Sequence, residues 1–202
     1  MADLTSPFAD AGHISAFSML PEDEPLGDGI TFNAIALHGA FEVNALASEK
    51  SVGSALAKAT GTKVIEPQRF VAGQGTRVIC LEPVRWLVHT GLDQIGPLQK
   101  AVGDAGTVVD VSHARSGFEI AGARAEDAMR KYLKLDLHPD RCPPGSALEA
   151  PIHHMGCLIL RLAEDRFQLY TLSSLAESLL ETMADAAIEY GARMGDPIEV
   201  VG

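Results

Sequence analysis

Hydrophobic and polar positions follow two rhythms along this chain, and between Thr107 and Leu137 the two come in succession. Val108, Val109 and Val111 make a short β-branched run. Ser116 to Ile120 alternates, which predicts a half-buried strand with Phe118 and Ile120 on one face and Glu119 on the other. Gly122 interrupts it. Ala125, Ala128, Met129, Tyr132 and Leu133 then recur at i, i+3, i+4, i+7 and i+8, one stripe of a helix. Glu126 and Asp127 sit at the positive end of that helix, and Arg130, Lys131 and Lys134 near the negative end, as the macrodipole favours.

The same strand, strand, helix order is expected over residues 30–61, 77–103 and 152–191. Ile30 to Leu46 is strand-rich, with His38-Gly39 as its turn. Ser51 is positioned to cap a helix carrying Val52, Ala55, Leu56 and Ala59, which Gly61 ends. Thr62 to Gly75 reads as a loop with one extended piece at Val64-Ile65. Arg77–Leu81 and Trp86–His89 form a strand pair. Asp93 to Val102 is a helix that tolerates Pro97 in its first turn. Ile152 to Leu162 is one strand, Ala163-Glu164-Asp165 a turn, and Phe167, Leu169 and Thr171 mark the next strand. Ser174 and Glu177 have capping-box spacing ahead of a helix buried along Leu175, Leu179, Met183, Ala186 and Tyr190, and Gly191 stops it.

Antiparallel pairs flanked by helices imply an α+β fold of two pseudo-related halves, 30–106 and 107–202. Residues 1–29, rich in Pro, Gly and acidic residues, read as an extended arm whose Ile14, Phe17, Met19 and Leu20 are expected to pack on the chain's own body or to dock on a partner.

Composition narrows the function classes. The chain has 202 residues, 47% hydrophobic, enough for a substantial core. Its net charge of −11 argues against nucleic acid and against an anionic membrane surface. No apolar run reaches the roughly 20 residues of a membrane span, and the N-terminus lacks a secretory pattern. Cys80, Cys142 and Cys157 have no CxxC spacing, so a reducing, cytoplasmic setting is expected.

Four clusters carry candidate chemistry. Gly73-Gln74-Gly75-Thr76-Arg77 has the look of a phosphate loop, but it precedes a strand rather than a helix and lacks a third glycine, so a glycine-permitted loop is favoured. Asp110-Ser112-His113 has the residue types of a hydrolase triad crowded into four positions, and a hydrogen-bonded turn is favoured. His153-His154-Met155-Gly156-Cys157 offers metal-ligand types, yet neighbours on a strand face opposite ways. Glu149, Glu164 and Asp165 lie near turns without the marks of a tuned acid or base. Trp86, the only tryptophan, begins an apolar strand and reads as a core or interface anchor. The residues by themselves assign no catalytic, cofactor-binding or metal site.

An ordered set of segments goes further. Arg85-Trp86-Leu87-Val88, Val108-Val109-Asp110-Val111-Ser112 with Arg115, Gly122 before a helix, Leu135-Asp136-Leu137-His138-Pro139, Pro143-Pro144-Gly145-Ser146 and the closing Phe167–Gly191 segment resemble the gamma subunit of heterotetrameric sarcosine oxidase. The subunit of related N-methyl amino acid dehydrogenases is similar. The resemblance covers residues 76–191 and implies the fold of the folate-binding T-protein. In the T-protein, the neighbourhood of Met155-Gly156-Cys157-Leu158 carries a paired-aspartate motif used in folate chemistry. Here Cys157 and Leu158 stand there, and neither does a carboxylate's work. The resemblance therefore implies a non-catalytic assembly subunit of a flavoenzyme that oxidatively demethylates sarcosine or a similar N-methyl amino acid. It also implies alpha-, beta- and delta-type partner subunits holding FAD, FMN, NAD, tetrahydrofolate and zinc, with no cofactor in this chain. Two alternatives stand beside it. One is a stand-alone folate-dependent aminomethyltransferase-like protein, with Glu149 as the nearest carboxylate; the other is an unrelated small-molecule binding or regulatory module.

Overall fold

A computed structural model describes Phe8 and residues 29–200. Ile14, Phe17, Met19 and Leu20 of the expected arm lie outside the described residues. Phe8 is buried, with its ring edge-on to Phe118 at 5.8 Å.

Each half of the chain runs through the same elements. The first is β1 (Ile30–Ala36), β2 (Ala40–Ala45), α1 (Glu49–Thr60), β3 (Arg69–Gly73), β4 (Thr76–Glu82), β5 (Arg85–His89) and α2 (Ile95–Val102). The second is β6 (Gly106–Asp110), β7 (Arg115–Ala121), α3 (Ala125–Arg130), β8 (Ala147–Ile152), β9 (Met155–Ala163), β10 (Arg166–Leu172) and α4 (Ala176–Ala187). Short β11 (Ala192–Met194) and β12 (Ile198–Glu199) follow. One sheet has the order β11-β1-β7-β10-β9-β8, with β12 also on β1; the other has the order β3-β4-β5-β2-β6. The orders match once β1 and β6 are exchanged: each half lends its first strand to the other half's sheet.

The two compact units are therefore interleaved rather than consecutive. Among the described residues, one comprises those up to Ala36, Arg115–Pro144 and Glu149–Ile198; the other comprises Leu37–Ala114, Gly145–Leu148 and those from Glu199. The sequence boundary at residue 106 marks the repeat of elements, not the edge of a unit. The reason is pairing. Phe32 of β1 lies opposite Ile120 of β7, and Val43 of β2 lies opposite Val108 of β6.

In the first unit, register puts Phe32, Phe118, Ile120, Phe167 and Leu169 on one sheet face, and all are fully buried. Helix α4 packs on β7 and β10, and α3 packs on α4. In the second unit Phe41, Val43, Val78 and Val88 meet Val52 and Leu56 of α1 and Leu98 and Val102 of α2. Trp86 is 4% exposed inside this core.

Several local expectations change. Ser48, not Ser51, caps α1: its Oγ accepts from the Ser51 N–H at 3.4 Å, while Gly61 ends the helix at φ 65. Arg69–Gly73 is a strand, paired with β4 and closed by the two-residue turn Gln74-Gly75 at φ 46 and 72. Residues 152–162 are not one strand, because His153 at φ 56 turns the chain back between β8 and β9. Helix α3 ends at Arg130, since Leu133 leaves it to bridge Ile152. The expected capping box does not form at Ser174: α4 follows a 3-10 turn over Ser173–Leu175, and no side chain caps it. Glu119 is buried too, because Gln168 Nε2 donates to it at 3.2 Å and Tyr170 Oη donates to Gln168 at 2.8 Å.

Candidate functional site

The segment that the T-protein resemblance singles out lies at one end of the first unit's sheet. Arg115 at the start of β7, Glu149, Ala150 and Pro151 of β8, Gly156 and Cys157 of β9, and Leu172 and Leu175 after β10 line an open cleft of about 380 Å³. Its shape comes from the strands. The two-residue turn at His153-His154 brings β9 back beside β8, and Thr171 Oγ1 holds the end of β10 to the Gly156 carbonyl at 2.9 Å. Arg115 and Glu149 face each other at 3.7 Å across the mouth. The remaining lining is mainly apolar, and Leu172 is 53% exposed.

The chemistry of the floor follows from burial. The Cys157 thiol is 3% exposed and donates to the Met155 carbonyl at 3.3 Å. Burial pushes it up to about 11 against hydrogen bonding and the Arg115 charge, so it stays protonated at neutral pH. A buried, protonated thiol is a poor nucleophile. Leu158 is completely buried. Glu149 is the carboxylate of the cleft, and its partner is the Arg115 guanidinium. The cleft thus joins a mainly apolar lining to an ion pair at its mouth.

The other sequence candidates are not brought together here. Glu164 and Asp165 form the β9–β10 turn at the far end of the strands, where their carbonyls accept from Arg161 Nη2 at 2.9 Å and from the Gly122 N–H at 3.0 Å. The His153 and His154 rings do face each other, at 4.3 Å between centroids, because they occupy a turn and not a strand. Tyr132 stacks on His153 at 5.5 Å. Among the described residues no three His, Cys, Asp or Glu side chains gather as metal ligands. Gly73-Gln74-Gly75 is the tip of the β3–β4 hairpin.

Asp110 and Ser112 make a clamp. Ser112 Oγ donates to Asp110 Oδ1 at 2.6 Å, and the Ser112 N–H donates to the same oxygen at 2.9 Å. These bonds hold the Asp110 carboxyl below its usual range. Ser112 Oγ in turn accepts from the Ala40 N–H at 3.0 Å, while the Val111 N–H donates to the Ala40 carbonyl at 2.9 Å. The serine hydroxyl thus donates straight to the carboxylate with no imidazole between them, unlike a triad.

Sequence reasoning missed Arg161. It sits inside the apolar run Leu158–Leu162 and is 1% exposed. Its five N–H donors are all used. Nε donates to Ala163 O at 3.2 Å, Nη1 to the carbonyls of Leu137 and of Cys142 (3.1 Å), and Nη2 to Glu164 O at 2.9 Å and to Glu126 Oε2 at 3.2 Å. The guanidinium also lies 5.0 Å from the Phe167 ring centroid. It fastens the 137–142 loop and α3 to the sheet. The signal was present, since a cation inside an apolar strand demands partners.

Comparison with known proteins agrees with this fold. A family model described as sarcosine oxidase, gamma subunit family matches residues 44–189. Sarcosine oxidase subunit gamma of Corynebacterium sp. (strain P-1) is 30% identical over 178 residues, 84% of this chain and 88% of that protein. The subunit gamma of Arthrobacter sp. matches with the same identity and coverage. Among solved structures, heterotetrameric sarcosine oxidase from Corynebacterium sp. U-96, in complex with pyrrole 2-carboxylate, matches with a TM-score of 0.78 and 25% identity. That match covers 93% of this chain and 96% of the other. Aminomethyltransferase T of the glycine cleavage system from Bartonella henselae matches with a TM-score of 0.57 at 12% identity, over 84% of this chain but 48% of its own. That likeness is one of fold alone, so the stand-alone aminomethyltransferase alternative finds no support. With most of its length matched by the family model and by two curated relatives, the chain belongs to the sarcosine oxidase gamma subunit family.

Proposed function

We propose that this chain is a non-catalytic assembly subunit of a cytoplasmic heterotetrameric flavoenzyme that oxidatively demethylates sarcosine or a similar N-methyl amino acid. In this reading it packs on the large alpha-type subunit, which holds NAD and tetrahydrofolate. The beta-type subunit holds the flavins, and the delta-type subunit holds zinc. The observation that carries the proposal is the start of β9. Where the T-protein resemblance puts catalytic carboxylates, this chain has a buried, protonated Cys157 and a buried Leu158. The carboxylate that the cleft does hold, Glu149, faces Arg115 at 3.7 Å. The fold is kept without its acid, as a scaffold requires.

The test is tagged purification from the native host, followed by an absorption spectrum and a sarcosine oxidation assay. The expected result is co-elution with larger chains, flavin bands in the eluate and oxidation by the complex. The isolated chain should be colourless and inactive. A yellow, active isolated chain would overturn the proposal, as would a native chain that purifies alone.

A further inference from the structure

In the second unit, α1 carries a glycine in its interior. Gly53 is buried, yet a Cβ there would meet nothing closer than Trp86 Cζ2 at 3.6 Å and Val64 Cγ1 at 3.9 Å. Those are ordinary contacts, so packing within the chain does not demand a glycine. An interior helical glycine costs about 1 kcal/mol against alanine. What its missing side chain does is keep a space open over Trp86.

That space is a groove of about 300 Å³ between α1 and the 64–67 loop, floored by Trp86 and walled by Val64, Ile65, Pro67 and Pro83. Val64 is 61% exposed beside it. The apolar surface continues past Pro83. Val84 is 47% exposed and Leu46 is 71% exposed, and the Ala45 N–H bonds the Val84 carbonyl at 2.8 Å, which places them side by side. Neighbouring exposed apolar side chains of this kind are a feature of contact surfaces. Glu49, Glu66 and Lys50 stand at the groove rim, two carboxylates and one ammonium that leave it net negative. Neither carboxylate is ion-paired to a described residue. An apolar floor under an acidic rim is complementary to a large apolar side chain next to a Lys or Arg.

We propose that this groove receives such a side chain, an apolar residue flanked by a Lys or Arg, from the large partner subunit. The inference rests on the subunit reading above. The groove is the place where an anchor enters, and Leu46 and Val84 extend the contact around it.

The test uses the complex, co-expressed with its partner subunits. Gly53→Leu fills the groove from the helix side, Gly53→Ala is its mild control, and Glu49→Lys with Glu66→Lys reverses the rim. Association is measured by sedimentation, and the fold of each variant by far-UV circular dichroism and Trp86 emission. Gly53→Ala assembles as wild type does. Gly53→Leu keeps the fold and weakens association at least about tenfold, or roughly 1.4 kcal/mol. The doubly reversed rim also weakens association, and there added salt restores binding instead of weakening it. If Gly53→Leu misfolds, the rim variant decides. Wild-type affinity in both variants overturns the groove as the docking site and leaves the subunit reading standing. Failure of the wild-type chain to assemble overturns the subunit reading itself. A homodimer abolished by Gly53→Leu assigns the groove to a second copy and overturns the proposal.

Discussion

Removing the donors of Arg161 while keeping its stem is the sharpest test of what holds the first unit together. Arg161→Met leaves a side chain of similar length against Phe167 but strands the carbonyls of Leu137, Cys142, Ala163 and Glu164, and the carboxylate of Glu126. Glu126 keeps Arg130, 2.6 Å away, so its charge is not abandoned. Hydrogen bonds to a charged group contribute about 1.5–3 kcal/mol each, and breaking a buried pair from one side costs about 3–5 kcal/mol. The losses overlap, because one loop is released once, so the expected destabilisation is about 3–5 kcal/mol in total. For a chain of this size that lowers Tm by roughly 10 °C. Urea unfolding of the purified chain, followed by far-UV circular dichroism in the cold, measures it. Arg161→Lys keeps the charge but has a single compact donor head, which cannot span acceptors on three segments, so it recovers less than half of the loss. A midpoint for Arg161→Met within about 1 kcal/mol of wild type would refute the reasoning, since a buried cation with five used donors cannot be removed that cheaply.

Three further predictions follow from particular contacts. Cys80 and Cys157 are both pushed by burial from 9.0 to about 11, so the unfolded chain ionises first as pH rises. Stability is unaffected by these thiols below pH 9 and falls between about 9 and 11 by about 1.4 kcal/mol per pH unit for each; flat urea midpoints across that window would contradict it, as would labelling of either thiol by iodoacetamide in the native state at pH 8. Gly117→Ala places a Cβ 2.5 Å from Tyr170 Cδ1 and 2.7 Å from the Leu169 carbonyl in the neighbouring strand, and is expected to destabilise by about 1–3 kcal/mol, read from thermal melts. Ser112→Ala loses the bonds to Asp110 and Ala40 at a cost of about 1–2 kcal/mol, yet leaves amine oxidation by the assembled complex unchanged; loss of turnover with the assembly intact would restore a catalytic role to that serine.

What the sequence made legible was whatever has a local cause. The period-two runs gave β4, β5, β7 and β10, and the stripes of α1 and α4 stood at helical spacing. Strand β3 escaped because Arg69–Gly73 is half-buried at a sheet edge and shows no strong alternation. The β8–β9 turn escaped because neither His153 nor His154 is one of the glycine, proline, asparagine, aspartate or serine residues that ordinarily signal a turn. Glu119 was placed on an open face because a carboxylate in an alternating strand normally is; its burial depends on Gln168 and Tyr170, a strand pairing 49 residues away in sequence. The cleft was half legible. Cys157 and Glu149 were named from the sequence, but Arg115 entered only as one residue of the resemblance, and nothing local joins β7 to β8.

The exchange of β1 and β6 is the clearest case of a structure that local signals cannot distinguish. His38-Gly39 has the sequence of a hairpin turn, and a hairpin and a crossover both need a short, permissive linker. Here Gly39 is needed for another reason: a Cβ on it would come 2.6 Å from the Thr90 carbonyl, while its own carbonyl accepts the Thr90 N–H at 3.0 Å. The linker is therefore packed against the end of β5 and not folded back on β1. The equivalent linker after β6 contains Val111 and Ser112, and these bond Ala40 through both backbone and hydroxyl. The residues that most resembled a hydrolase triad are thus the fastening of a crossover. Their spacing is tight because four hydrogen bonds close on one carboxylate and one strand end. A fold built this way commits each half to the other half's sheet, so neither sheet is complete without a strand from the other half.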